Sequence, residues 1–243
     1  MAGTKAGSAG NYTATAYPMS RLMGHFGHDM SYPYVILGIR CERVVMSNVS
    51  IPHPLRRQLQ GCSLYLVGMM ASGKSSTGRL LAQRLGYGFV DTDSVVEQMA
   101  GSSIPEIFEQ IGESGFRSLE TQALGAISQY HSLVVATGGG AVTRPDNWGI
   151  LRQGIVIWLD LNRDQLLVRL DADEVQRPLL QVADSLAVLD TLLEARRPLY
   201  NEADLQVTVG AESLSEVVEQ IFNLLRSQLK NPGNLTVPQT IAG

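Results

Sequence analysis

The sequence lacks the features that mark several large classes of protein. Its 243 residues include only two cysteines, Cys41 and Cys62, and their spacing matches no metal site. Two cysteines are too few for a disulfide framework, so that class is excluded and a reducing compartment is expected. No apolar run reaches the roughly 18 residues that a membrane-spanning helix needs. The formal net charge of −4 is not the basic excess that bulk binding of nucleic acid or of an anionic membrane would require.

The first 60 residues differ from the rest in charge. They contain six basic and two acidic side chains, a sum of +4, which leaves −8 for the other 183 residues. We expect residues 1–60 to be a poorly structured extension, either an acid-poor transit peptide or a leader upstream of a true start at Met46. Residues 61–230 would then form one domain, and residues 231–243 a frayed tail.

Within residues 61–230, short apolar segments alternate with amphipathic ones. Predicted strands are Ser63–Val67, Gly88–Val90, Leu133–Ala136, Ile155–Leu159 and Leu205–Val209. Predicted helices are Lys74–Leu85, Ile104–Ile127 with a break near Gly112, Gln165–Leu170, Leu186–Ala195 and Ser215–Leu229. Strands separated by helices indicate βαβ units and a five-stranded parallel sheet covered by helices on both faces, an α/β fold in three layers.

A glycine-rich loop lies between the first predicted strand and the first predicted helix. It reads GMMASGKS from Gly68 to Ser75, which fits the pattern G-x-x-x-x-G-K-[ST] of a phosphate-binding loop (P-loop). In such a loop the backbone N–H groups and the helix N-terminus hold a polyphosphate, the lysine reaches its β- and γ-phosphates, and the serine hydroxyl binds Mg²⁺. The expected nucleotide-binding residues are therefore Gly68, Met69, Met70, Ala71, Ser72, Gly73, Lys74, Ser75 and Ser76.

The scarcity of lysine narrows the class of nucleotide enzyme. The chain has three lysines, Lys5, Lys74 and Lys230, so Lys74 is the only one between the two termini. A GTPase would need a guanine-reading N-K-x-D element, which is absent, and large motor ATPases are excluded by size. A small nucleotide-dependent kinase remains.

Two carboxylates follow the second predicted strand, in the sequence Asp91-Thr92-Asp93. Ligands of open α/β sheets bind beyond the carboxyl ends of the strands. On an extended segment both side chains would point to the same side, Asp91 toward a metal ion and Asp93 toward the acceptor hydroxyl. Alternatively Asp93 is only a helix N-cap, an interpretation that leaves Asp91 unexplained.

These motifs, with four more in order along the chain, resemble the shikimate kinase family over residues 63–209. The segments are LYLVGMMASGKSS, GYGFVDTDSVVE, GESGFRSLE, VVATGGGAV, QRPLL and ARRPLYNEAD. Their sequences most resemble the photosynthetic-bacterial and plastid branch of the family. The resemblance implies an adenylate-kinase-like fold with a substrate-binding helical segment at about 93–122 and a mobile lid at about 171–185. The loop departs from many members at Ala71, where glycine is common, and a positive φ there would cost about 1 kcal/mol.

The resemblance also assigns the substrate site. Arg117 would grip the shikimate carboxylate in a planar fork, steadied by Glu120, although Arg117 and Glu120 could simply form an i,i+3 pair. The glycines Gly138, Gly139 and Gly140 would contact the substrate hydroxyls, or else form a plain loop. Arg196 would be the second arginine that binds the carboxylate.

Two more arginines are assigned to the nucleotide. Arg177, in the lid, would stabilise the transferring phosphoryl group together with Lys74, unless it is an ordinary exposed loop arginine. Arg169 would stack on the adenine, although the segment between these arginines is one residue longer than usual.

The expected activity is ATP-dependent phosphorylation of the shikimate 3-hydroxyl to 3-phosphoshikimate, a step in chorismate and aromatic amino acid biosynthesis. Catalysis would involve Lys74, Asp93 and Arg177, with Mg²⁺ held by Ser75 and Asp91. We expect a cytoplasmic monomer, or a plastid protein if residues 1–60 are a transit peptide. Alternatives are another small-metabolite kinase, such as a gluconate kinase, or a non-catalytic kinase-like interaction protein.

Overall fold

The computed structural model describes residues 35–36, 39–40, 53–171 and 185–230 of the chain. Strands β1 (Val35–Ile36) and β2 (Ile39–Arg40) pair antiparallel with each other. The other strands are β3 (Leu64–Val67), β4 (Gly88–Asp91), β5 (Leu133–Ala136), β6 (Ile155–Leu161) and β7 (Leu205–Val209). The helices are α1 (Leu55–Leu59), α2 (Lys74–Leu85), α3 (Thr92–Ala100), α4 (Ile104–Ile127), α5 (Pro145–Leu151), α6 (Arg163–Asp171), α7 (Ser185–Tyr200) and α8 (Leu214–Lys230).

The five strands β3 to β7 form one sheet in which all neighbours are parallel. Their order is β4-β5-β3-β6-β7, with β3 in the centre. Strands β3, β5 and β6 are buried along their whole length, as expected for parallel strands covered by helices on both faces. The predicted α/β fold with a five-stranded parallel sheet is therefore confirmed. The carboxyl ends of β3, β4 and β5 lie side by side, and the loops that follow them build the site.

The helices agree with the sequence pattern in most places. Helix α4 contains the expected break, because Gly112 has a φ of 67° that no helical residue adopts. The short helices α1 and α5 were not predicted, since segments of five and seven residues show little periodicity. No helix in the described part of the chain is both long and apolar enough to cross a membrane.

Residues 53–60 pack against the domain that we expected to begin at residue 61. Helix α1 lies within the expected extension, yet Leu55 and Leu59 are 1% and 3% exposed. The His53 ring stacks on Phe222 of α8 with centroids 4.0 Å apart, and it contacts Arg226 through Nε2 at 2.8 Å. Residues 53–60 are thus part of the packed domain, because apolar side chains anchor them to α8. Apart from β1 and β2, the rest of the expected extension lies outside the described residues, as does the tail at 231–243.

Candidate active site

The P-loop lies where the sequence predicts it, between the central strand β3 and helix α2. Lys74 is buried, and its Nζ donates hydrogen bonds to the carbonyl oxygens of Gly68 at 2.9 Å and Met69 at 2.6 Å. It also lies 3.4 Å from Ser72 Oγ. These bonds hold the ammonium group inside the loop, at the N-terminus of α2, where a polyphosphate would bind. Ser76, in the first turn of α2, is exposed.

One residue of this loop carries backbone strain. Ala71 has a φ of 57°, in the left-handed region. A side chain in that conformation costs roughly 1 kcal/mol, because its β-carbon crowds the following carbonyl. The loop sequence singled out Ala71, and its positive φ is the conformation in which alanine has this energetic cost.

The acidic pair differs from the extended arrangement that we expected. Asp91 ends β4, but α3 begins at Thr92, so Asp93 lies in the first helical turn. The N-cap is Asp91 rather than Asp93: an Asp91 carboxylate oxygen accepts a hydrogen bond from the Asp93 N–H at 3.1 Å. The other oxygen of Asp91 accepts one from Ser75 Oγ at 2.6 Å. Capping by Asp91 starts the helix two residues earlier than capping by Asp93 would, and it leaves the Asp93 carboxylate available to the site.

Asp93 has the properties of a general base. Its Oδ1 is enclosed and has no hydrogen-bond partner among the described residues. Burial raises the pKa of Asp93 to about 7, helped by the negative charges of Asp91 and Glu120 and opposed by Lys74 and Arg117. A base whose pKa lies near neutrality can take a proton in one step and release it in the next.

Arg117 and Glu120 form a buried ion pair on α4. Arg117 Nη1 donates to Glu120 Oε2 at 2.9 Å, and Nη2 donates to Glu113 Oε1 at 3.2 Å. Glu120 is fully buried, and its second oxygen, Oε1, has no partner among the described residues. Burial raises the pKa of Glu120 although Arg117, Arg196 and Arg144 lower it. The expected i,i+3 pair exists, and it aims the guanidinium at the glycine loop.

Residues Gly138 to Gly140 form a loop against which these side chains pack. A β-carbon at Gly138 would collide with Glu120 Oε1 and Asp93 Oδ1, and one at Gly140 would overlap the Arg117 guanidinium. Only glycine permits this close approach. The two partnerless carboxylate oxygens therefore face the same point of the loop, as acceptors for ligand hydroxyls would.

The remaining predicted arginines have different outcomes. Arg196 is 4% exposed, and its Nη1 lies 3.7 Å from where a β-carbon of Gly139 would be, so it joins Arg117 at the loop. Arg169 lies beside Gly73 of the P-loop and donates to the Gly210 carbonyl at 3.1 Å. Arg177 and most of the expected lid lie outside the described residues.

Three residues of the site were missed at the level of sequence. Thr92 is buried, and its hydroxyl accepts a hydrogen bond from the Gly138 N–H at 2.9 Å. The Tyr200 hydroxyl donates to the Gly139 carbonyl at 2.6 Å. Arg144 adds positive charge near Glu120 and donates to Ser118 Oγ at 3.2 Å. The sequence contains two signals for these residues: Thr92 lies between two aspartates, and Tyr200 follows Arg196 by four residues.

Ser75 and Asp91 are suited to Mg²⁺. Both supply oxygen atoms, and the 2.6 Å contact between them brings these atoms together at the mouth of the P-loop. Within the described residues there is no group of three or more acidic, cysteine or histidine side chains that could enclose a metal ion. Mg²⁺ is commonly held by one or two side chains together with substrate phosphates and water.

Comparisons with known proteins agree on one family. The model of the family described as shikimate kinase matches residues 70–226. A shikimate kinase from Synechococcus sp. (strain CC9605) is 64% identical over 178 residues, which cover 73% of this chain and 89% of that protein. One from Prochlorococcus marinus (strain MIT 9313) is 58% identical over 187 residues, covering 77% and 97%.

A solved structure supports the same family. Shikimate kinase from Acinetobacter baumannii, in complex with shikimate, superposes with a TM-score of 0.68 at 39% sequence identity. The match covers 72% of this chain and 98% of that one.

Proposed function

The chain belongs to the shikimate kinase family, and from this premise we infer that it transfers the γ-phosphoryl group of ATP to the 3-hydroxyl of shikimate. It is therefore a phosphotransferase of the shikimate pathway, which leads to chorismate and the aromatic amino acids. The observation that carries the assignment is the pair of buried guanidinium groups, Arg117 and Arg196, beside a glycine loop that adjoins the P-loop. Two such cations suit an acceptor that carries a carboxylate.

In this proposal the acceptor lies over the glycine loop. Arg117, oriented by Glu120, and Arg196 bind its carboxylate. Gly138, Gly139 and Gly140 let its hydroxyls approach the backbone. The enclosed Oδ1 of Asp93 accepts a hydrogen bond from the reacting hydroxyl. The carboxylate takes the proton as the hydroxyl oxygen bonds to the γ-phosphorus and the bond from that phosphorus to the bridging oxygen breaks, which releases ADP. Support for these roles comes from the partnerless carboxylate oxygens described above.

The phosphates of ATP would occupy the P-loop, residues 68–76. Lys74 moves from its carbonyl partners to the β- and γ-phosphates, and Arg177 neutralises the charge that spreads over the transferring group. Ser75 and Asp91 would hold Mg²⁺, which supplies further neutralisation of the phosphate oxygens when bound. Arg169, which lies beside Gly73, would contact the adenine base.

We also propose a monomeric enzyme of the cytoplasm. The two relatives described above come from cyanobacteria, which favours the cytoplasm over a plastid. For the domain limits, we propose a kinase domain from residue 53 to 230, with lid residues near 171–185.

A coupled assay of ADP release tests this function. The enzyme is given ATP and Mg²⁺ with shikimate, with gluconate, or with no acceptor, and the phosphorylated product is identified by mass and by ³¹P NMR. Of these three conditions, we expect turnover only in the one with shikimate. Lys74→Ala protein serves as the control for contaminating kinases. Turnover of gluconate in preference to shikimate, or of neither, would refute the assignment.

A further inference from the structure

Tyr200 is the last residue of α7, and its hydroxyl reaches the centre of the site. The side chain is 2% exposed, and the ring stacks on Trp158 of β6 with centroids 5.8 Å apart. The hydroxyl donates to the Gly139 carbonyl at 2.6 Å and lies 3.5 Å from the Met69 sulfur. It therefore contacts the glycine loop and the P-loop at once.

These two loops touch each other beside that hydroxyl. A β-carbon at Gly139 would lie 3.2 Å from the Met70 nitrogen and 3.5 Å from the Gly68 carbonyl oxygen. The backbones that would hold acceptor and nucleotide are thus in direct contact, and transfer in line requires that their separation be fixed to a fraction of an ångström. The hydrogen bond from the Tyr200 hydroxyl to the Gly139 carbonyl fixes the glycine-loop side of this contact.

The peptide groups around Gly139 have separate anchors. The Gly138 N–H is held by Thr92, the Gly138 carbonyl by the Ala141 N–H at 3.1 Å, and the Gly140 carbonyl by Thr143. Tyr200 supplies the hydrogen bond to the remaining carbonyl of the loop. Its bond spans 61 positions in the chain, so it ties the loop to another element of the fold.

The same bond holds the helix that carries Arg196. Arg196 and Tyr200 are four residues apart, so they share a face of α7. Pro198 lies between them and has no N–H, so the last turn of α7 lacks one helical hydrogen bond. An external anchor at Tyr200 compensates for that loss. Burial also raises the pKa of Tyr200 to about 12, so the hydroxyl keeps the proton that it donates.

We propose that Tyr200 is a positioning residue for the acceptor: its hydroxyl sets the glycine loop and Arg196 at the distance from the P-loop that binding of the acceptor requires. This inference rests on the proposed function, since it takes shikimate as the acceptor. In this role Tyr200 does not need to contact either substrate.

Tyr200→Phe is the direct test, because phenylalanine keeps the ring and its stacking on Trp158. Steady-state kinetics are measured for the full chain with each substrate varied, alongside thermal unfolding. Loss of one hydrogen bond to the loop should raise the KM for shikimate about 3- to 10-fold, while the KM for ATP changes less than about 2-fold. Tyr87→Phe is the matched control, since it removes another buried tyrosine hydroxyl, just before the amino end of β4 and away from the carboxyl ends of the strands that build the site. It should leave both KM values unchanged.

The possible results distinguish a failure of the Tyr200 inference from a failure of the proposed function. If wild-type enzyme turns over shikimate and Tyr200→Phe has the same kinetics, the inference is wrong and the function stands. Equal changes in both KM values, or a variant that does not fold, would show a merely structural hydroxyl and overturn the inference too. A wild-type enzyme that is inactive with shikimate would refute the proposed function and this inference with it.

Discussion

Replacing Asp93 by asparagine should stabilise the folded protein at neutral and alkaline pH while removing most of its activity. The carboxylate is held in a place that disfavours its charge: Oδ1 is enclosed without a partner, and Asp91 and Glu120 are close by. Asparagine has nearly the same shape and carries no charge. The substitution therefore removes the electrostatic cost and the proton acceptor together.

The magnitude follows from the pKa of Asp93, which burial and the neighbouring carboxylates raise from 3.8 to about 7. Such a group binds more protons in the folded than in the unfolded state between these values. Its contribution to the free energy of unfolding is therefore most favourable below about pH 4 and declines as the pH rises to about 7. Between pH 5 and pH 8 the shift corresponds to a loss of about 2–3 kcal/mol. Asparagine does not titrate, so the variant should escape this loss.

Urea unfolding followed by tryptophan fluorescence measures the effect, in buffer without nucleotide or metal ions. The difference in free energy of unfolding between Asp93→Asn and wild type should increase by about 2–3 kcal/mol from pH 5 to pH 8. Asp146→Asn is the matched control, because Asp146 is an exposed aspartate in the first turn of α5. Its effect should stay within about 0.5 kcal/mol at both pH values.

Kinetics complete the test. The kcat of Asp93→Asn should fall by about 10² or more, because an amide cannot take the proton. For the wild type, kcat/KM should decline as the pH falls below about 7. If the stability difference were the same at pH 5 and pH 8, Asp93 would titrate normally, and the argument for a base poised near neutrality would fail.

Four further predictions concern the phosphate loop, the acceptor site and the N-terminal segment. Lys74→Ala should abolish turnover with an unchanged circular dichroism spectrum, and near-native turnover would remove the P-loop assignment. Arg117→Lys keeps the charge but loses the planar fork, so it should raise the KM for shikimate more than that for ATP; the reverse pattern in steady-state kinetics would contradict the carboxylate-binding role. Ala71→Gly relieves a positive φ at some cost in chain entropy and should stabilise by about 0.5–1 kcal/mol in thermal unfolding, whereas a loss of stability would show that the strain is absent. Removing residues 1–45 should leave activity unchanged, but removing residues 1–60 deletes two buried leucines and should cost several kcal/mol; equal stability of the two truncations would show that α1 contributes nothing.

The sequence by itself was sufficient where function depends on contiguous residues. The P-loop is recognisable because neighbouring backbone N–H groups must enclose one phosphate chain, so its residues cannot be separated. Strands β3, β5 and β6 are recognisable because parallel strands covered on both faces must be continuously apolar. Arg117 and Glu120 were predicted together because i,i+3 spacing on a helix brings side chains into contact.

Only the tertiary structure decided what depends on residues far apart in the chain. The raised pKa of Asp93 follows from burial beside Glu120, which comes 27 positions later in the sequence. The bond from Tyr200 to Gly139 joins segments 61 residues apart, and α1 has too few residues to be stable without α8 against which it packs. No local pattern encodes these contacts, because desolvation and hydrogen bonding depend on which groups the fold brings together rather than on their order in the chain.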